Sequence, residues 1–338
     1  MTVALVPLPP GPFPKLAQFA LKCLRGLTLV VAALQPALAG AQPNAELEFV
    51  LFDAPGAVDT SPTSINDRGV IVGNALMGAE PGRWRVFVRR PDGSFNFLDD
   101  LEGLGTDETE GGSTLTVSAS GINNRGQVIG QYFGHDFRFH GFLRRPGGEL
   151  TVIDFPGVPH TVAKAINDRG QIVGNYLLEL ASAARSNRGF LRERDGTFIE
   201  IDFPGARWTI PEGINNAGVI VGWYQIFDDD DNFIHQAGFV RFPNGRYVEV
   251  DASLLWDIND RGDIVGTGGG EEFFRPAFGS PIPLDPPGCQ EPGCLRALNF
   301  GISVNDRRQI VGKLRDDTGL HGYLVRFPHR FHGRLHRH

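Results

Sequence analysis

The 338 residues contain no Gly-x-Ser-x-Gly elbow, no His-Glu-x-x-His pair and no phosphate-cradling glycine loop, so the commonest hydrolase and nucleotide-binding signatures are absent. A site assembled from several repeats needs none of them, so this absence does not exclude catalysis. Cysteine is scarce: Cys23, Cys289 and Cys294. Cys23 lies in the N-terminal leader, which leaves Cys289 and Cys294 around a Pro-Gly turn. That pair predicts a local disulfide in an oxidising compartment, whereas a metal site would need ligands that the segment lacks. Positive charge is in deficit. The formal charge of −7 becomes −10 once the leader cations Lys15, Lys22 and Arg25 are removed, which argues against nucleic acid and anionic surfaces as partners.

The leader itself, residues 1–41, carries those three cations and no acidic residue, then the apolar run Leu27 to Leu34, then Ala37-Leu38-Ala39-Gly40-Ala41. This predicts a secretory signal peptide cleaved after Ala39 or Ala41; a tail that is never cleaved is the other reading. No later stretch is apolar for long enough to form a transmembrane helix. A secreted protein, extracellular or periplasmic, is expected.

What is present is a repeat. Ile166-Asn167-Asp168-Arg169-Gly170-Gln171-Ile172-Val173-Gly174 recurs as Ile65 to Gly73, Ile122 to Gly130, Ile214 to Gly222, Ile258 to Gly266 and Val304 to Gly312. The leading asparagines, Asn66, Asn123, Asn167, Asn215, Asn259 and Asn305, are 57, 44, 48, 44 and 46 residues apart. Periods of this size without long helical patterns mean a repeat architecture. Asn at the first turn position accepts from backbone amides further on, and Gly three positions later tolerates a positive φ, so the motif is a hairpin corner. The sixth copy has Arg308 in place of that Gly, at an expected cost of about 1 kcal/mol.

Each repeat divides into four strands, a to d. In the third they are Val162 to Ile166, Gln171 to Tyr176, Gly189 to Arg192 and Phe198 to Asp202. The last repeat ends without a strand d, and the chain begins with an orphan, Phe49 to Asp53. The orphan predicts an all-β, six-bladed β-propeller over 46–327, closed by pairing of the N-terminal strand with the last blade, followed by a His/Arg-rich tail, 328–338. An open β-solenoid is the alternative. A monomer is expected.

Gly-Phe-Leu-Arg, Ile-Asp-Phe-Pro-Gly and Ile-Asn-Asp-Arg-Gly-Gln-Ile-Val-Gly-Asn-Tyr together resemble the extracellular repeat proteins of the HAF family, from about Phe49 to Phe327. The resemblance implies a bacterial exported protein. It implies no activity for any residue.

Variable loops on a rigid scaffold are where sites are built, and the irregular lengths fall in the b–c and d–a connections. Glu102, Asp107, Glu108, Glu110 and Glu212 depart from the repeat and are the candidate catalytic carboxylates; a solvated acidic loop is the other reading. Trp84, Tyr132, Tyr176, Trp208, Trp223 and Tyr224 are candidate ligand-binding rings, with packing between blades as the alternative. Asp228, Asp230 and Asn232 offer oxygens at alternate positions, as a Ca²⁺ loop begins, but without the Gly and distal Glu of an EF-hand. No other cofactor is expected. The recurrent Asp closing strand d is expected to hold its turn through backbone amides. The pattern points to a binding scaffold for an extracellular glycan or protein, with a propeller hydrolase or lyase acting on extracellular polysaccharide as the alternative.

Overall fold

The computed structural model of the chain describes residues 47–78, 83–101, 103–105, 117–179, 185–228, 230–284 and 302–327. The leader, Glu102, Asp107, Glu108, Glu110, Cys289, Cys294 and the C-terminal tail lie outside these residues. The described chain is all-β: 24 strands and one short 3-10 turn at Asp99–Leu101. Among the described residues no helix is long and apolar enough to cross a membrane.

The strands form six antiparallel four-stranded units. Strand a is Ala57–Ile65, Val117–Ile122, His160–Ile166, Trp208–Ile214, Leu254–Ile258 and Ser303–Val304 in turn, and strand b is Ile71–Met77, Val128–Phe133, Ile172–Glu179, Ile220–Phe227, Ile264–Gly268 and Ile310–Arg315. Strand c is Arg83–Arg89, Phe139–Arg144, Arg185–Arg192, Phe233–Arg241, Glu271–Arg275 and Leu320–Arg326. Strand d is Phe95–Phe97, Leu150–Ile153, Phe198–Ile201, Tyr247–Val250 and Ile282–Pro283 in the first five units. In the sixth, Glu48–Phe52 fills the place, pairing antiparallel with the last strand from Glu48↔Arg326 to Phe52↔Gly322.

Strands b and c run further than the repeat pattern predicts. Tyr176 faces Arg188 and Leu178 faces Ser186, and Phe133 faces Phe139. Much of what reads as irregular b–c connection is therefore extended hairpin, because the ladder continues past the recurring residues.

The core lies between units. Six apolar clusters are each shared by two consecutive units, including the sixth and the first, where Val311 and Leu324 pack with Ile65, Ile71 and Phe87. The two apolar residues that open strand b divide between neighbours. Ile172 enters one cluster and Val173 the next, and Ile71 and Val72 do likewise. Successive strand residues point to opposite faces, so a sheet covered on both sides needs an unbroken apolar pair. Each such buried side chain contributes about 1.5–3 kcal/mol.

The corners behave as their residues predict, and then do more. Asn167 Oδ1 accepts from Arg169 N and Gln171 N, both at 3.0 Å, and Gly170 has φ +82°. The amide end of the same side chain leaves its own unit: Asn167 Nδ2 donates to Asn215 O at 3.0 Å. Every leading Asn does this, and the series is cyclic, since Asn305 Nδ2 donates to Asn66 O at 2.9 Å. A second cycle runs through the next residue. Asp67, Asn124, Asp168, Asn216, Asp260 and Asp306 each donate the backbone N–H to the side-chain Oδ1 of the following member, and Asp306 donates back to Asp67. Arg308 adopts φ +58°, and its guanidinium forks onto the buried Asp263 carboxylate, Nε to Oδ2 at 2.8 Å and Nη2 to Oδ1 at 3.1 Å. That pair offsets the backbone strain.

In four units the recurrent Asp of strand d pairs across the sheet and not with its turn; Asp285 lies outside the described residues. Asp53, Asp99, Asp154 and Asp202 pair instead with His321, Arg85, His140 and Arg188 on the adjacent strand c. The turn amides go to threonine. Ala54 N, Phe155 N and Phe203 N donate to the hydroxyls of Thr60, Thr161 and Thr209 at 2.9–3.0 Å.

Candidate functional site

Strand a breaks register at an equivalent position in five units, between Pro62 and Ser64, Ala119 and Gly121, Ala163 and Ala165, Pro211 and Gly213, and Leu255 and Asp257, and the first unit has a further shift between Ala57 and Asp59. The skipped residue of a β-bulge has no ladder partner, so its side chain is re-aimed. At the equivalent position those residues are Thr63, Ser120, Lys164, Glu212 and Trp256. All five, with Ile302 at the equivalent place in the sixth unit, line a central cavity of about 1200 Å³. The bulge also accounts for the Gly closing each corner motif. A Cβ at Gly130 or Gly174 would collide with Ser118 O or Val162 O, which the bulge brings against strand b. The residue after that Gly supplies a second set of lining groups, including Asn74, Gln131, Trp223 and Lys313, and Trp84 joins from strand c of the first unit.

The wall is chemically uneven. Glu212 Oε1 accepts from Lys164 Nζ at 3.2 Å and from Trp223 Nε1 at 3.3 Å, so cation, carboxylate and indole form one cluster drawn from two units. Trp256 Nε1 donates to Thr267 Oγ1 at 3.0 Å. Lys313 Nζ donates to Ser61 Oγ at 3.0 Å. Burial, aided by Arg315 and opposed by Glu272, brings the Lys313 amine down to about 8. Burial raises the Asp257 carboxyl to about 6, against hydrogen bonds from Ser303 Oγ at 2.6 Å, Val304 N at 3.0 Å and Ile258 N at 2.8 Å. Its oxygens are thus committed to the protein. At one end the cavity meets the corner cycle of Asp67, Asn124, Asp168, Asn216, Asp260 and Asp306.

Glu212, Trp84 and Trp223 are therefore the expected site residues that the structure gathers in one cavity. Tyr176 and Tyr224 are not ligand faces. Each is almost completely buried, stacked on Phe155 at 4.0 Å and on Phe203 at 3.7 Å respectively. Burial first, then Glu200, raises the Tyr176 phenol to about 12. Tyr132 stacks on His140 at 5.1 Å and Trp208 packs 5.8 Å from Phe227, neither among the cavity-lining residues. In the Asp228–Asn232 run, Asp228 Oδ1 accepts from Asp230 N at 3.0 Å, Asn232 N at 2.8 Å and Asn232 Nδ2 at 3.2 Å. The alternate oxygens are a turn bonding to itself. Among the described residues no three carboxylate, imidazole or thiolate groups gather as metal ligands do. Lys164, Trp256 and Lys313 belong to the cavity but escape a motif search; for the first two the signal lies in aligning the repeats on the position three before each leading Asn.

No family model matches the chain, and no curated protein does. Among solved structures it is similar to TolB from Acinetobacter baumannii, with 12% identity over 77% of this chain and 66% of that one and a TM-score of 0.49. A gluconolactonase from Xanthomonas campestris matches with 12% identity over 80% and 89%, TM-score 0.47. A Trypanosoma rangeli sialidase matches with 10% identity over 81% and 56%, TM-score 0.47.

Proposed function

We propose that the chain is an exported, six-bladed β-propeller of the HAF-repeat type whose central cavity binds a small hydroxyl-rich ligand such as a glycan end. Closure of the ring is supported by the N-terminal strand on the last unit, by the apolar cluster shared between the sixth and first units, and by two cyclic series of hydrogen bonds. Binding is supported by one observation above the rest. The corner motif repeats almost unchanged, yet the position three before each leading Asn reads Thr63, Ser120, Lys164, Glu212, Trp256 and Ile302. A position serving only the scaffold would repeat with it. Indole faces stack on sugar rings, and a carboxylate held by an amine and an indole N–H retains lone pairs for hydroxyls.

The test titrates the full chain with mono- and oligosaccharides while following tryptophan fluorescence, since Trp84, Trp223 and Trp256 all line the cavity. Trp223→Ala should weaken binding at least about tenfold, a loss of roughly 1.4 kcal/mol. No response to any sugar discards the glycan and leaves a protein partner. A hydrolase or lyase acting on polysaccharide is the second reading, favoured by Glu212 alone. A glycosidase pair needs a second available carboxyl roughly 5–9.5 Å away, and Asp257 is already committed. Chain cleavage that disappears in Glu212→Gln would establish it. Export is tested by fusing residues 1–41 to a reporter and assaying it outside the cytoplasm.

A further inference from the structure

The chain uses arginine for 28 of its cations and lysine for four. Lys15 and Lys22 belong to the leader. The other two, Lys164 and Lys313, both line the central cavity. Arginine keeps its proton at any working pH and is no nucleophile, whereas a desolvated amine can be neutral and can condense with a carbonyl. Lys164 is engaged with the Glu212 carboxylate at 3.2 Å. Lys313 has a different setting.

We propose that Lys313 is a carbonyl-reactive amine that captures a small hydroxylated aldehyde or ketone in the central cavity as an imine. The proposal rests on reading the cavity as a ligand site and adds a covalent step to it. Lys313 follows Gly312 on strand b of the sixth unit and reaches across to strand a of the first, where Nζ meets Ser61 Oγ at 3.0 Å. The titratable and charged groups around it include Glu272, which accepts from Tyr323 Oη at 2.7 Å, and Arg315, which lies 3.4 Å from Asp59. With its pKa brought down to about 8, roughly one amine in ten is neutral at pH 7, against fewer than one in a thousand for an ordinary lysine.

The chemistry balances without an oxidant or a second reactant. The neutral Nζ lone pair forms a bond to the carbonyl carbon, the C=O π pair moves to oxygen, and a proton passes from nitrogen to that oxygen. The Ser61 hydroxyl stands where it can relay this proton. The carbinolamine then takes up one further proton and loses water as the nitrogen lone pair forms the C=N bond.

The experiment incubates the full chain with glycolaldehyde, reduces with sodium borohydride, and maps the adduct by peptide mass. The expected result is labelling of Lys313 at least roughly tenfold faster than Lys15, Lys22 or Lys164, with a rate that climbs through pH 8 and then levels. The preference disappears in guanidinium chloride. Lys313→Arg removes the fast adduct, and Ser61→Ala slows its formation. Equal labelling of the four lysines in the native protein, or a Lys313 rate rising only near pH 10, overturns the proposal, and this wild-type profile decides even where a variant fails to fold. Trehalose has no free carbonyl and separates the two readings. A fluorescence response to trehalose without a Lys313 adduct keeps the cavity as a sugar site and sinks the imine; an adduct without any response to trehalose or other sugars does the reverse.

Discussion

Replacing Asp306 by Asn should stabilise the protein, and only above about pH 5. In the second corner cycle Asn124 Nδ2 donates to the Oδ2 atoms of Asp67 and Asp168, and Asn216 Nδ2 to those of Asp168 and Asp260. Asp and Asn thus alternate, and each amide is shared by two carboxylates. Asp306 breaks the alternation, because it sits between Asp260 and Asp67 with no side-chain N–H to give either. Burial first, then Asp67 and Asp260, push its carboxyl up to about 6, with Arg261 opposing. The sign follows from linkage. A folded-state pKa above the unfolded value of 3.8 means that the native state binds the extra proton, so stability falls as pH rises from about 4 to 6 and the full cost is present above that. About two pK units correspond to roughly 3 kcal/mol; partial exposure reduces this to about 1–2 kcal/mol. An amide in place of this carboxyl would carry no such cost and would supply both missing donors. Unfolding in urea or heat at pH 4, 5, 6 and 7.5 reads the effect. D306N should match the parent at pH 4 and exceed it by about 1–2 kcal/mol at pH 7.5, a rise of roughly 2–6 °C in Tm. An equal gain at both pH values, or a loss at pH 7.5, would refute the reasoning.

Three further outcomes are expected. Arg308→Gly restores the residue found in the other five corners, yet it should destabilise by about 2–4 kcal/mol, because relief of strain at φ +58° is outweighed by a fully buried Asp263 left without its guanidinium; urea denaturation that finds the Gly variant as stable as the parent would sink this account. His140 lies between Asp136 and Asp154, and His321 between Asp53 and Asp316. Burial pulls both imidazoles down, but the paired carboxylates more than offset it and raise them above 6.5. Their contribution is therefore complete below about pH 6.5 and lost as pH climbs through the raised value, so the His140→Asn, His321→Asn double variant should flatten the decline in thermal stability between pH 6 and 8. Gly174→Ala should cost about 2–3 kcal/mol, since its methyl group meets Val162 O and Phe190; a change under about 0.5 kcal/mol would mean that strand a is free to yield.

The parts of the fold readable from the chain are those whose causes lie within a few residues. Asn167 bonds to amides two and four positions on, so the corner and its strands follow from local chemistry repeated six times. The other half of the same side chain bonds to a carbonyl 48 residues away, and no local rule predicts that reach. Tyr176 and Tyr224 escape a sequence reading for a related reason. They fall at the end of the recurring strand b pattern, but the ladder runs on to Glu179 and Phe227, so both rings lie inside a sheet and turn toward the inter-unit cores.

The cavity is partly visible in the sequence. Glu212 stands out because it departs from the repeat, and the same criterion, applied at the same offset, finds Lys164 and Trp256. What hides them is the bulge. An alternating pattern assigns each strand residue to one of two faces, and a residue skipped by the ladder belongs to neither, so periodicity treats it as noise. The Gly that closes each motif records the bulge from the opposite side, since it is required where strand a is pressed against strand b. Scaffold and site are thus one device. The constraint that makes Gly130, Gly174 and Gly222 invariant among the repeats is what frees Ser120, Lys164 and Glu212 to differ.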